Sequence, residues 1–173
     1  MKELHTTRFT LRRLQIGDIA ALFEMDSDPK VVRYVRKMTE DLETYTARIQ
    51  RGIEARAGSP LGIWTITHRG RPDFQGWVAL KELPDTQHIE VGYRLPFRNW
   101  GQGIATETAR RLLAYGFLDL GLPEIVAVTH PHNVASQRVI AKIGLVLRGT
   151  EFHYGTEVLF YSLHARDFSI GIP

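Results

Sequence analysis

The run Ile89-Glu90-Val91-Gly92-Tyr93-Arg94-Leu95, followed closely by Arg98-Asn99-Trp100-Gly101-Gln102-Gly103-Ile104-Ala105, decides how this chain folds. The first part is apolar and strand-like. The second opens a segment in which Ala105, Ala109, Leu112, Leu113, Gly116 and Leu120 recur three or four residues apart, the period of a helix face. A strand, a glycine turn and a helix start together make an anion site. The first turn of a helix carries unpaired N–H groups and the positive end of the dipole. Two glycines let a phosphate approach where a Cβ would collide. Gly101 and Gly103 are therefore candidates for holding a phosphorylated ligand, with Gln102, Ile104 and Ala105 adding backbone N–H groups. The plain alternative is a structural corner. Two known phosphate loops are excluded: a dinucleotide fingerprint needs glycine where Thr106 stands, and a Walker loop needs Gly-Lys-Ser/Thr where the chain has Gly103-Ile104-Ala105.

Outward from this block, the chain reads as alternating short elements. Thr7 to Arg13 alternates as a strand, and Asp18 is placed to cap a helix carrying Ile19, Leu22, Phe23 and Met25. A turn bearing Val31, Val32, Tyr34 and Val35 follows Asp28-Pro29, and 42–57 has helical character up to Gly58-Ser59-Pro60. Strands are expected at 61–67, 76–82, 88–95 and 124–129, with a helix from 133 or 134 to 143 stopped by Gly144. A last hairpin, 145–152 and 157–164, turns around Tyr154-Gly155. The pattern predicts an α/β (mixed α+β) fold: a central mixed, mostly antiparallel twisted sheet of about seven strands with helices on both faces, in a single domain over 1–173. Strands 88–95 and 124–129, joined through a helix, should be parallel neighbours.

A second block, Asn133-Val134-Ala135-Ser136-Gln137-Arg138-Val139-Ile140-Ala141-Lys142-Ile143-Gly144, follows the apolar strand Ile125-Val126-Ala127-Val128. Together the two blocks resemble the GNAT superfamily of acyl-coenzyme A-dependent N-acetyltransferases, through Arg98-x-x-Gly101-x-Gly103. The longer strings, and the opening Thr7-Arg8-Phe9-x-Leu11-Arg12, look like the branch that acetylates the N-termini of ribosomal proteins.

The resemblance implies a splayed parallel strand pair holding acetyl-CoA, the acetyl donor. The pantetheine arm would pair with backbone near Tyr93, Arg94 and Leu95, and the pyrophosphate would rest on Gly101 to Ala105. Arg98 either approaches phosphate or shapes the turn. Asn133 is a good N-cap that also bonds the cofactor arm in this family. Arg138 either meets the 3′-phosphate side or faces solvent. Many relatives carry a tyrosine acid four residues beyond the position of Ser136. Here that position is Ile140, leaving Ser136 as the candidate that protonates the leaving thiolate. Glu90 shares a strand face with Gly92 and Arg94, looking to the groove or to solvent. It is either a surface carboxylate paired with a cation or the general base that acts through water. Segments 28–36 and 152–157 would wall the acceptor.

With no cysteine, a thiol acyl-enzyme is excluded and transfer must be direct. His130 and His132 lack a third ligand at telling spacing, so no metal is expected. The net charge is only +3, with scattered cations, so direct nucleic-acid binding is not expected. No apolar run reaches membrane length and the start lacks a signal-peptide core, which points to a cytoplasmic protein. The expected acceptor is a protein N-terminal α-amine. Rival readings are a small-molecule amine such as a polyamine, an aminoglycoside or an amino-acid-like compound, or a non-catalytic acyl-CoA sensor. Monomer and homodimer both remain open.

Overall fold

Alternation along the strands and 3.6-residue periodicity along the helices build one sheet between two helical layers. The computed structural model describes residues 3–35 and 40–169. In chain order the strands are β1 (Leu4–His5), β2 (Phe9–Arg13), β3 (Gly62–His68), β4 (Phe74–Glu82), β5 (Ile89–Arg94), β6 (Glu124–Thr129), β7 (Val146–His153) and β8 (Thr156–His164). The helices are α1 (Ile19–Ser27), α2 (Leu42–Ala55), α3 (Ile104–Ala114) and α4 (Val134–Lys142). The sheet has eight strands in the order β1-β2-β3-β4-β5-β6-β8-β7, one more than expected because the two-residue β1 adds to the β2 edge.

All neighbours pair antiparallel except β5 and β6, which are parallel and meet in a single register pair, Glu90↔Val126. β5 keeps an unbroken register with β4 from Ile89 to Arg94. The splay is thus a divergence of β6 from β5, with no kink in the β4–β5 ladder. Along 91–94 the side of β5 that would face β6 has no strand partner, so its backbone groups there are left to solvent or to a ligand in the splay.

The main core lies on one face of the sheet. There Ala105, Ala109, Leu112 and Leu113 of α3 pack against Leu80, Val91, Ile125 and Ala127. α4 adds Ile140 to this core. On the other face Leu22, Met25 and Tyr45 of α1 and α2 pack with Ile63, Phe74 and Trp77. α3 passes into a π-helical turn at Tyr115–Asp119. There Gly116 is buried against Ile125 and Leu80 with no room for a Cβ. Gly144, with φ +94, ends α4 as expected, and the hairpin turns at Tyr154-Gly155.

Asp18 departs from its expected role. It precedes α1 but makes no side-chain cap. Its carboxylate instead takes two bonds from Arg12 (2.8 and 2.6 Å), one from Thr65 (2.7 Å) and one from the Gln15 N–H (3.0 Å). Burial alone would raise its pKa, but these donors outweigh burial and hold it below the ordinary carboxylate value. The Arg12 guanidinium, six residues back near the end of β2, attracts a buried carboxylate more strongly than one free helix N–H does. Among the described residues, no helix is long and apolar enough to cross a membrane.

Candidate active site

Gly101 and Gly103 both adopt left-handed backbone, with φ +75 and +76. Gly103 is the N-cap of α3 and has no side chain to cap it, and among the described residues no other side chain takes that place. Its first N–H groups are therefore left to whatever enters the adjoining cavity. A Cβ on Gly101 would meet nothing within 4 Å, so the turn borders open space.

The turn itself is braced from below. The Arg8 guanidinium donates two bonds of 3.1 Å to the Gln102 carbonyl and one of 2.7 Å to Glu107, while the Arg8 N–H donates to the same carboxylate at 2.9 Å. Glu107 is partly buried, which would raise its pKa. Hydrogen bonds from Thr6 and Arg8 more than offset this and lower it. Its charge also sits beside the positive end of α3. Asn99 is buried and donates to the Gln75 carbonyl at 3.1 Å, and Trp100 Nε1 donates to the Leu95 carbonyl at 2.9 Å. Together these bonds tie the loop between β5 and α3 to the sheet.

A cavity of about 320 Å³ runs along the splay. Of the residues expected in the site, Tyr93, Arg94, Leu95, Gly101, Gly103, Ile104, Ala105, Asn133, Ser136 and Arg138 all line it. The Leu95 carbonyl is already taken by Trp100, so backbone left for an added strand lies before it on β5. Arg94 is anchored to Asp26 at 2.8 Å and lies over the Trp77 ring. Lys142 joins Arg138 on the α4 side, giving that wall two cations.

Tyr93 and Ser136 span the splay: the Tyr93 hydroxyl donates to Ser136 Oγ at 3.1 Å. Burial pushes the Tyr93 pKa up to about 12, against the opposing effect of the Ser136 bond, so the phenol keeps its proton at neutral pH. Asn133 caps α4 as expected, its Oδ1 accepting from the Ser136 N–H at 3.2 Å. The cap thereby fixes the residue whose hydroxyl faces the groove.

Three expected residues lie off the cavity. Arg98 is exposed, 3.9 Å from Glu24. Gln102 turns its side chain back to the Arg98 carbonyl at 2.9 Å. Glu90 faces neither groove nor solvent. It is buried beneath the β7–β8 turn, where its carboxylate accepts from Lys81 and from the Tyr154 hydroxyl. Burial, then the bond to Glu90, raises the Tyr154 pKa, so that phenol too is a donor. Of the proposed acceptor walls, Val31, Tyr34 and Val35 do line the cavity, and Tyr34 stacks on His130 at 5.3 Å. Arg36 lies outside the described residues. Segment 152–157 contributes nothing to this cavity, because Tyr154 is held at Glu90 and Lys81. Arg8, Asn99 and Lys142 were missed from the sequence. Asn99 and Lys142 stand within the two motif blocks and Arg8 next to a strand start, but nothing local connects Arg8 to a turn more than ninety residues away.

An acetyltransferase (GNAT) domain model matches residues 8–146. The chain belongs to the GNAT acetyltransferase family. It is 32% identical over 161 residues to the FsC-acetyl coenzyme A-N(2)-transacetylase of Aspergillus fumigatus, covering 87% of this chain and 67% of that one. The fold is that of an acetyltransferase from Agrobacterium tumefaciens, with a TM-score of 0.82, 26% identity and 95% of each chain covered. It also matches RimL, a ribosomal L7/L12 α-N-protein acetyltransferase in complex with coenzyme A, with a TM-score of 0.78, 17% identity, and 94% and 98% covered. This GNAT protein is an acetyl-CoA-dependent acyltransferase.

Proposed function

We propose that the enzyme transfers an acetyl group directly from acetyl-CoA to a protein N-terminal α-amine, such as that of a ribosomal protein, in the cytoplasm. The observation that carries this reading is the shared cavity. Val31, Tyr34 and Val35 line the same space as the Gly101–Gly103 turn and the Tyr93–Ser136 pair, which supports an acceptor wall and a donor cradle in one cavity. The residues present suit the donor. An uncapped helix start behind two left-handed glycines receives a pyrophosphate, and Arg138 and Lys142 add positive charge beside it.

Bound acetyl-CoA supplies the acyl thioester. The chain supplies the rest. Unpartnered β5 backbone along 91–94 orients the donor arm and offers an N–H to the developing oxyanion. Ser136, held by Asn133 and Tyr93, donates toward the leaving sulfur. Tyr93, with its pKa at about 12, orients Ser136 and is not itself ionised. Glu90 lies off the groove, closed in by Lys81 and Tyr154, so the proton the amine loses goes first to water in the groove and the carboxylate acts only from a distance.

A second reading has its own support. The Aspergillus relative is named an FsC-acetyl coenzyme A-N(2)-transacetylase, a name that mentions no protein N-terminus and so leaves room for a small-molecule amine. One experiment separates the two: an acceptor screen for coenzyme A release with N-terminal peptides, polyamines, aminoglycosides and amino-acid-like amines, followed by mass spectrometry. Acetylation of peptide α-amines supports the first reading. Activity confined to small amines replaces it with the second, acetylation confined to lysine side chains overturns both acceptor assignments, and release of no thiol with any acceptor removes the transferase reading.

A further inference from the structure

The two ends of the sheet differ. β1 closes one with only two residues. The other is β7, whose residues 146–152 are all exposed, with Val146 at 53%, Leu147 at 50% and Phe152 at 73%. A long apolar edge with free backbone groups is a template for another strand. Proteins that must avoid such pairing place proline or like charges there. β7 carries no proline, and its charges are opposite: Arg148 and Glu151.

We propose that β7 pairs antiparallel with β7 of a second copy of this chain, about a two-fold axis through Thr150. The register of β7 against β8 determines which side chains share a face. Leu147 opposes Tyr161, Gly149 opposes Phe160, and Arg148 is the extra residue of a bulge between them. Leu147, Thr150 and Phe152 therefore share one face. Val146, Gly149, Glu151 and His153 share the other, joined by Arg148, whose Nε donates to Ser162 Oγ at 3.0 Å.

Residues opposed across an antiparallel pair must lie on the same face. With Thr150 opposite its own twin, Glu151 falls opposite Gly149 of the other copy, directly beside Arg148. Counting the bulge residue once, Phe152 falls opposite Leu147 and His153 opposite Val146. Every pair matches in face, the largest apolar side chains meet, and two Arg–Glu pairs form. Centring on Glu151 instead would oppose two carboxylates. Centring on Gly149 would set Phe152 against Leu145, which is already buried in the core.

The backbone agrees. Tyr154 and Gly155 have φ +54 and +76, a two-residue I′ turn that makes His153 and Thr156 the hydrogen-bonded closing pair. Alternation then directs the N–H and C=O of Glu151 toward β8, and those of Thr150 and Phe152 outward. Thr150, at the axis, can exchange both bonds with its twin.

The test is sedimentation velocity on the full chain over a wide concentration range. The wild type forms a concentration-dependent dimer. Thr150→Pro removes an outward N–H without breaking a β8 bond and abolishes that dimer. Arg148→Glu and Glu151→Arg each weaken it by about tenfold, because each sets like charges together twice per dimer. The double swap restores wild-type affinity, which a merely misfolded strand could not do. Amide exchange gives a second reading: Thr150 and Phe152 slow as concentration rises. A wild type that is monomeric throughout overturns the proposal. So does a dimer indifferent to Thr150→Pro, a double swap as weak as its single variants, or exchange at these amides that ignores concentration.

Discussion

Replacing Gly103 by valine separates a ligand cradle from a structural corner. At φ +76 a residue with a Cβ costs about 1–2 kcal/mol of backbone strain. The new Cβ would also lie 3.4 Å from Arg8 Nη2, and Arg8 is held in place by the Gln102 carbonyl and Glu107. That contact asks for a shift of a few tenths of an ångström, so the fold should survive with a loss of about 2 kcal/mol, mostly the strain. Binding should suffer more. Charge-assisted hydrogen bonds contribute about 1.5–3 kcal/mol each, and excluding a pyrophosphate from two N–H groups removes at least about 3 kcal/mol. At 1.4 kcal/mol per tenfold, coenzyme A affinity should drop by at least about a hundredfold. Gly101→Ala is the companion: at φ +75 it carries the same backbone strain, but its Cβ meets no protein atom within 4 Å, so affinity lost beyond the loss of stability reports something that occupies the cavity. Denaturant unfolding gives the stability of each variant and titration calorimetry its affinity for coenzyme A. A folded Gly103→Val protein that binds coenzyme A as tightly as the wild type would refute the cradle, leaving the turn a corner between strand and helix.

Ser136→Ala should lower kcat by about 10²–10⁴-fold while coenzyme A affinity holds, since acid–base groups contribute about that much, and Glu90→Gln, whose carboxylate is shut off from the groove, should lower it less. Tyr93→Phe, which removes only the phenol that orients Ser136, should cost less, and steady-state kinetics on the folded variants ranks the three. Wild-type rates for both Ser136→Ala and Glu90→Gln would leave solvent as the proton carrier. Asp18→Asn should destabilise the fold by about 2–3 kcal/mol at pH 7, below the about 3–5 of a fully buried pair because Arg12 is a quarter exposed. The folded pKa of Asp18 is depressed, so its contribution is present above the unfolded value and lost as pH falls through the folded one. The gap between variant and wild type should therefore close below about pH 4, as read by denaturant unfolding across pH; a gap constant with pH contradicts the ion-pair account. Gly116→Ala places a Cβ 2.6 Å from Ile125 Cδ1 and 3.1 Å from Leu80 Cδ2, and should cost about 1–3 kcal/mol by overpacking despite alanine's better helix propensity. A melting temperature that rises in this variant would show that the core around Gly116 has room for a methyl group.

What the chain's local order determined is what depends on neighbours in sequence. The glycine turn before α3, the Asn133 cap of α4, the Gly144 stop and the Tyr154-Gly155 hairpin all rest on backbone preference and periodicity within a few residues. They were legible together with the cavity residues those elements carry. The strand count missed β1, because two residues hold no period. Contacts between distant segments were decided by the tertiary structure alone. Asp18 is a plausible cap in sequence, but folding sets it against Arg12 and Thr65, a far stronger set of donors. Glu90 was placed on the correct side of its strand relative to Val91. Its surroundings come from β4 and from the β7–β8 turn, which deliver Lys81 and Tyr154 and shut it away from the groove. Arg8 braces a turn that no local pattern links to it. Periodicity tells which way a side chain points, but only the packed sheet tells what it meets there, because a charge finds its partner through space rather than along the chain.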